Sequence, residues 1–190
     1  MALNFTPSSN PILEAWNRTE QDTAMQTILP CNGSEAWAIG VVNGYPYDTA
    51  EELFTSADKV WCSLSEKDWQ QAFDSHPRIG ESQAKAATEK SLAWSEGEQS
   101  AANPDDADKA ALAAANKEYE QKFGRIFIVC ATGKSAAEML AILKQRLGND
   151  PKAELHEAAE QQRQITQLRL RKWLQLPLNE PSTQAAKEAK

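Results

Sequence analysis

His76 stands in the run Asp74-Ser75-His76-Pro77-Arg78-Ile79-Gly80-Glu81. A residue before proline is pushed out of the helical region, so a helix must end near His76. Pro77 and Gly80 then shape a fixed loop. An imidazole on stiff backbone, beside Arg78 and Glu81, is a natural acid/base group near neutral pH. The competing reading is a loop histidine that only caps the last carbonyls of the helix. A second set lies in Ser95-Glu96-Gly97-Glu98-Gln99. Ser95 and Glu98 fit a capping box. On a helix start, Ser95, Glu98 and Gln99 also share one face, at i, i+3 and i+4. A hydroxyl, a carboxylate and an amide aimed the same way can grip a small, polar, nitrogen-rich heterocycle.

The last helical pattern holds an anomaly. With Ile165 at zero and 100° per residue, Leu155, Ala158, Leu168, Trp173 and Leu176 fall in one apolar arc, and Arg169 lands near its middle. A guanidinium there must snorkel to water or meet an acceptor. Its fork suits a substrate carboxylate; a structural Glu is the alternative partner. Lys172 falls near the same arc, but its stem escapes to water more easily. Other candidates are weaker. His156 and Glu160 are i,i+4, and two ligands do not make a metal site. Cys130 has no local basic partner and reads as a buried structural thiol. Gly133-Lys134-Ser135 ends like a phosphate loop, but Ile128 stands where the first glycine belongs.

The elements that must position these groups read as helices. Asn10-Pro11, Ser34, Thr49 with Glu52, Ser65 with Asp68, Asn103-Pro104, Ser135 with Glu138, and Asp150-Pro151 are helix starts. Gly44 with Pro46, Gly124, Gly148 and Pro177 are stops. Only Arg125 to Cys130 (RIFIVC) is β-like. It is short and without an obvious partner, so an isolated extended segment between helices is expected. The fold class is all-α: a single-domain irregular helical bundle. Its expected limits are a flexible N-terminus over 1–9, a helical domain over 10–176 and a flexible polar tail over 177–190.

A chain of 190 residues is long enough for one domain with a real core. A net charge of −7 argues against a nucleic-acid partner. No apolar run is long enough to cross a bilayer. Three widely spaced cysteines give neither a disulfide framework nor a zinc pattern and fit a reducing compartment. The start lacks the features of a secretory signal, and the end, Glu188-Ala189-Lys190, is not a peroxisomal address. The expected location is the cytoplasm, with no membrane partner.

Taken together, the chain resembles the 2-oxo-4-hydroxy-4-carboxy-5-ureidoimidazoline (OHCU) decarboxylase family from about Asn10 to Leu174. The resemblance rests on His76-Pro77 with Gly80, Ser95-x-x-Glu98-Gln99, Lys122-Phe123-Gly124 before an apolar run, and Ile165-x-x-Leu168-Arg169-Leu170. It implies an all-α homodimer with no metal and no organic cofactor, acting on a small-molecule substrate. The implied reaction is the last step from urate to (S)-allantoin, with release of CO2. His76 would be the catalytic histidine, with Glu98 and Arg169 as its catalytic partners. Pro77, Ser95 and Gln99 would line the pocket. Phe127, Ile128, Val129, Cys130 and Ala131 would offer backbone groups to the substrate, which gives the stray extended segment a purpose. The chain departs from the family's frequent Phe-Pro at Arg125-Ile126, which can add a charge near the site. Two other functions fit the residues without the resemblance: a helical lyase or hydrolase acting on a different small acid, and a non-catalytic helical interaction module.

Overall fold

The computed structural model describes residues 10–79, 88–99 and 106–178, and the side chains of all of these except 99 and 106–109. Among them are nine helices: α1 Pro11–Trp16, α2 Gln21–Asn32, α3 Glu35–Val42, α4 Ala50–Ser63, α5 Glu66–Asp74, α6 Glu89–Gln99, α7 Asp106–Phe123, α8 Ala136–Arg146 and α9 Pro151–Trp173. No strand occurs among the described residues. The all-α class is as expected. Gly80, Glu81, Asn103, Pro104, both termini and the side chain of Gln99 lie outside the description.

Most helix starts follow from local chemistry. Asn10 and Asp150 each accept two backbone N–H groups ahead of a proline. Ser65 with Asp68 and Ser135 with Glu138 form reciprocal capping boxes. Thr49 caps α4 alone, because the Glu52 carboxylate accepts from the Asp48 N–H instead. Ser95 departs from its expected role as a helix start. It lies inside α6, and the Ser91 N–H is capped upstream by Thr88 Oγ1 at 3.1 Å. Helix α9 stops at Trp173, short of Pro177, with Gln175 in the left-handed region at φ 57°.

Two apolar clusters make the interior. The larger joins α1–α5 to α9; the smaller joins α7 and α8. Trp37, Trp61 and Trp69 are buried in the larger one, and each indole N–H donates to a backbone carbonyl, of Ala57, Ala159 and Trp61 respectively. The segment 126–131 runs between the clusters in extended form. Ile126, Ile128 and Cys130 face the larger core, while Phe127, Val129 and Ala131 face the smaller. This is the side-chain alternation of a strand, without a sheet.

A buried ionic cluster holds this segment in place. Arg146 at the end of α8 donates through Nε to Glu154 Oε1 at 2.9 Å and through Nη1 to the Ile128 carbonyl at 2.7 Å. Its guanidinium also lies 4.7 Å from the centre of the Phe127 ring. The Tyr119 hydroxyl and Asn149 complete the shell around Glu154.

Helix α2 ends at Gly33 with φ 96° and packs there against the turn that carries His76. A Cβ on Gly33 would sit 2.1 Å from Ser75 Oγ. Gly33→Ala therefore combines left-handed strain with a clash. It is expected to destabilise the protein by about 2 kcal/mol or more, measured by urea unfolding. A wild-type midpoint in the variant would show that the Ser75 turn yields freely.

Candidate active site

His76 comes just after Ser75, the residue that ends α5, and its N–H returns to the Phe73 carbonyl at 3.0 Å. The helix thus ends where Pro77 demands. His76, Pro77 and Ile79 form one side of a hollow of about 350 Å³, counted with its open mouth. Ser95 and Glu98 come from α6, Ile165 from α9, and Phe127, Ile128, Val129 and Ala131 from the extended segment.

Behind this hollow lies Arg169, fully buried on α9. Its Nε donates to Glu98 Oε1 at 3.1 Å and its Nη2 to Glu98 Oε2 at 3.0 Å, a two-pronged grip on the carboxylate. Nη2 also reaches Ser95 Oγ at 2.8 Å, and Nη1 reaches Ser91 Oγ at 3.2 Å and the Pro30 carbonyl at 3.3 Å. All five donors of the guanidinium thus have protein acceptors. Lys172 adds a second cation, with Nζ 3.3 Å from Glu98 Oε1. The Trp94 ring lies 5.9 Å from the Arg169 guanidinium carbon and 4.9 Å from Lys90 Nζ.

Electrostatics set the state of the histidine. Burial is the largest influence on His76 and the Arg169 charge the next; together they hold its pKa down at about 3 against a weaker upward pull from Gln162. The ring is neutral throughout the physiological range. Burial likewise pushes the Cys31 thiol up to about 12 and raises Cys130, so neither supplies a thiolate near neutral pH. No group of three or more His, Cys, Asp and Glu side chains among the described residues is placed to hold a metal ion.

Comparison with known proteins fixes the family. Residues 17–171 match the family model described as OHCU decarboxylase. The chain belongs to the OHCU decarboxylase family. It is 38% identical over 144 residues to the uric acid degradation bifunctional protein TTL of Arabidopsis thaliana. That match covers 75% of the chain but only 44% of the plant protein, so the chain spans less than half of that relative. It is 32% identical over 143 residues to the 2-oxo-4-hydroxy-4-carboxy-5-ureidoimidazoline decarboxylase of Amia calva, covering 74% of the chain and 81% of the relative. A crystal structure of an OHCU decarboxylase in the presence of (S)-allantoin superposes with a TM-score of 0.69 at 34% identity, covering 83% of the chain and 99% of that structure. A structure of (S)-allantoin synthase shares the fold, with a TM-score of 0.65 at 16% identity, covering 85% of the chain and 53% of that structure.

Set in that family, the residues singled out from sequence divide into three groups. His76, Pro77, Ser95, Glu98, Phe127, Ile128, Val129 and Ala131 line one hollow. Arg169 stands behind it with its fork on Glu98, the alternative that the apolar arc left open. Cys130 does not line the hollow: its N–H goes to Gln161 Oε1 at 2.9 Å and its carbonyl to Lys134 Nζ at 2.7 Å. Arg78 turns to Glu120, with Nη2 2.9 Å from Oε2. Arg125 is not among the lining residues either; its Nε and Nη1 are buried without a hydrogen-bond partner among the described residues. Sequence reasoning missed Ser91, Ile79 and Pro30. Ser91 was within reach, because it precedes Ser95 by four and Glu98 by seven on one helical face.

Proposed function

We propose that this protein decarboxylates OHCU to (S)-allantoin, with His76 as the acid/base group. One observation carries the reading. In a chain of this family, a neutral imidazole and a carboxylate gripped by an arginine face the same small hollow. The substrate's name places a hydroxyl and a carboxyl on one ring carbon. Loss of CO2 leaves the electron pair on the ring, where an adjacent C=N unit can hold it, and one proton must arrive at carbon. A neutral imidazole begins as a proton acceptor. As CO2 leaves, the electron pair passes through the C=N unit to the ring nitrogen, which takes up a proton from water. His76 takes the hydroxyl proton, so that a C=O forms, and delivers a proton to one face of the ring carbon. Glu98 accepts hydrogen bonds from the ureido side, and Ser95 lines the approach. Arg169 serves as a positioning residue, since its donors are spent on Glu98, Ser95, Ser91 and Pro30.

The extended segment supports substrate reading by the main chain. Among the described residues, no hydrogen bond uses the N–H of Phe127, Ile128, Val129 or Ala131, or the carbonyl of Phe127 or Val129. Buried backbone groups seek partners, and a ureido group or ring amide supplies them.

The direct test mixes the protein with urate, urate oxidase and hydroxyisourate hydrolase and follows circular dichroism. Fast appearance of optically active allantoin is expected. A rate equal to that of the mixture without the protein sinks the proposal. The low pKa of His76 adds a second expectation. A depressed pKa keeps the base available down to about pH 3. Lowering the pH from 8 to 5 should therefore not reduce kcat/KM with a midpoint near 6.5. A midpoint there, absent when His76 is replaced, would show an imidazole open to water.

Finer readings belong to the same proposal. The protein works as a homodimer in the cytoplasm, without metal or cofactor. The family resemblance supports the first, and three free thiols suit a reducing compartment. No helix among the described residues is long and apolar enough to cross a membrane. A monomer mass by light scattering contradicts the dimer, an organelle-bound pool contradicts the location, and stoichiometric zinc contradicts the cofactor-free chemistry.

A further inference from the structure

Gln162 lies on the same face of α9 as Ile165, Thr166 and Arg169, and is fully buried. Its Nε2 donates to the Asn32 carbonyl at 3.2 Å and lies 3.4 Å from Thr166 Oγ1. The rest of this network is firm. Asn32 Nδ2 donates to Thr166 Oγ1 at 2.9 Å, Thr166 Oγ1 donates to the Gln162 carbonyl at 2.9 Å, and Asn32 Oδ1 accepts from the Ser34 N–H at 3.1 Å. These contacts fix which end of the amide is which. Turned over, Gln162 would set oxygen against the Asn32 carbonyl, acceptor to acceptor.

Gln162 Oε1 therefore points away from Asn32, and it is buried with no hydrogen-bond partner. His76 Nε2 is also buried with no partner. An amide oxygen only accepts, so a ring N–H is its natural complement. The packing brings the two together. Gln162 rests on the Asn32 carbonyl, and the next residue, Gly33, packs against Ser75 beside His76. Ile165, one turn on from Gln162, lines the hollow with His76. The upward pull of Gln162 on the His76 pKa has the sense of an acceptor beside the ring. The charged groups grouped at this end of the site are Arg169, Glu98 and Lys172, and Arg169 and Lys172 are committed to Glu98.

We propose that Gln162 is the positioning residue for His76: its Oε1 accepts the Nε2 hydrogen, fixing the neutral ring as the Nε2–H tautomer and leaving the Nδ1 lone pair for proton transfer in the hollow. This rests on the reading of His76 as the proton-handling group. It adds which nitrogen does the work and which residue decides it. A ring free to flip or to exchange tautomers would present the lone pair only part of the time.

The chain has only two histidines, His76 and His156. Protein labelled with ¹⁵N-histidine thus gives two imidazole patterns, and His156→Gln assigns them. In the wild-type protein His76 should show protonated Nε2 and unprotonated Nδ1 from pH 5.5 to 8. Protonated Nδ1, or a mixture of tautomers, overturns the proposal. Gln162→Met keeps the bulk and removes the acceptor. The tautomer should become mixed, and kcat should fall about ten-fold, the worth of one hydrogen bond, with KM little changed. A merely structural Gln162 would lower stability and leave the tautomer as it was, which also overturns the proposal. Should Gln162→Met not fold, the wild-type spectrum decides alone. The fixed tautomer in a protein that does not turn over OHCU would reject the proposed function and leave this inference standing.

Discussion

His76→Ala and His76→Asn are each expected to lower kcat on freshly generated OHCU by about 10²- to 10⁴-fold, the usual worth of a placed acid/base group. The product should also lose optical purity. Unassisted decay protonates both faces of the ring, so once the enzyme is slow the spontaneous route dominates. Asparagine is the sharper probe. It keeps a polar side chain on the same turn but cannot take up a proton. Both variants should fold, because the turn is held by the His76 N–H to the Phe73 carbonyl and by the Ser75 hydroxyl to the Ala72 carbonyl, neither of which uses the imidazole. They should resist acid better than the wild type. The folded protein keeps His76 neutral to about pH 3, whereas the unfolded chain protonates it near 6.5. Below pH 6.5 the unfolded state binds the extra proton, so stability falls with pH by about 1.4 kcal/mol per unit from this group. That loss is absent once the imidazole is gone. Pure (S)-allantoin at a near wild-type rate from either variant removes His76 from the chemistry.

The second large effect is expected at Arg169. Arg169→Ala leaves the Glu98 carboxylate with Lys172 alone and empties the contacts to Ser95, Ser91 and Pro30. Breaking a buried ion pair in this way costs about 3–5 kcal/mol. At 2–4 °C per kcal/mol for a domain of this size, Tm should fall by roughly 10 °C. Arg169→Lys separates charge from geometry. It restores the cation but not a fork that can hold both oxygens of Glu98 and a serine hydroxyl together. Losing one charge-assisted hydrogen bond to Glu98 is worth about 1.5–3 kcal/mol. With the Glu98 carboxylate less firmly aimed at the hollow, KM for OHCU should rise about ten-fold while Tm recovers in part. Calorimetry and initial rates check both. If Arg169→Lys keeps the wild-type KM and Tm, the five-donor geometry is irrelevant to binding and fold alike.

Much of this was legible in the chain because much of it is local. Asn10-Pro11, Ser65 with Asp68, Ser135 with Glu138 and Asp150-Pro151 act within one helical turn, and each starts a helix where expected. Arg169 showed as an anomaly because helical periodicity alone puts it among apolar neighbours. Its acceptor was not legible from that periodicity, since Glu98 is 71 residues away and a substrate carboxylate fits the same fork. Helix α2 gave no local signal. Glu20 makes no side-chain cap and Pro30 sits inside the helix, so the segment is secured by packing on α3 and α9. Ser95 misled for the opposite reason: S-x-x-E is a cap pattern wherever it occurs, and only the upstream Thr88 shows that the helix has already begun. The Arg146–Glu154 cluster was hidden as well. An arginine closing one helix and a glutamate opening the next look like ordinary terminal charges until the fold buries both.

The extended segment between the two cores carries a consequence for how this chain can vary. Its even positions belong to one hydrophobic body and its odd positions to the other. All six side chains of this run are buried, so each position can trade one apolar side chain for another of similar size. Chain length has no such freedom. Removing or inserting a single residue between Gly124 and Lys134 would send every side chain beyond it into the wrong body and carry the Ile128 carbonyl off Arg146. Spelling can drift along this stretch, whereas its letter count is locked by the parity of the backbone.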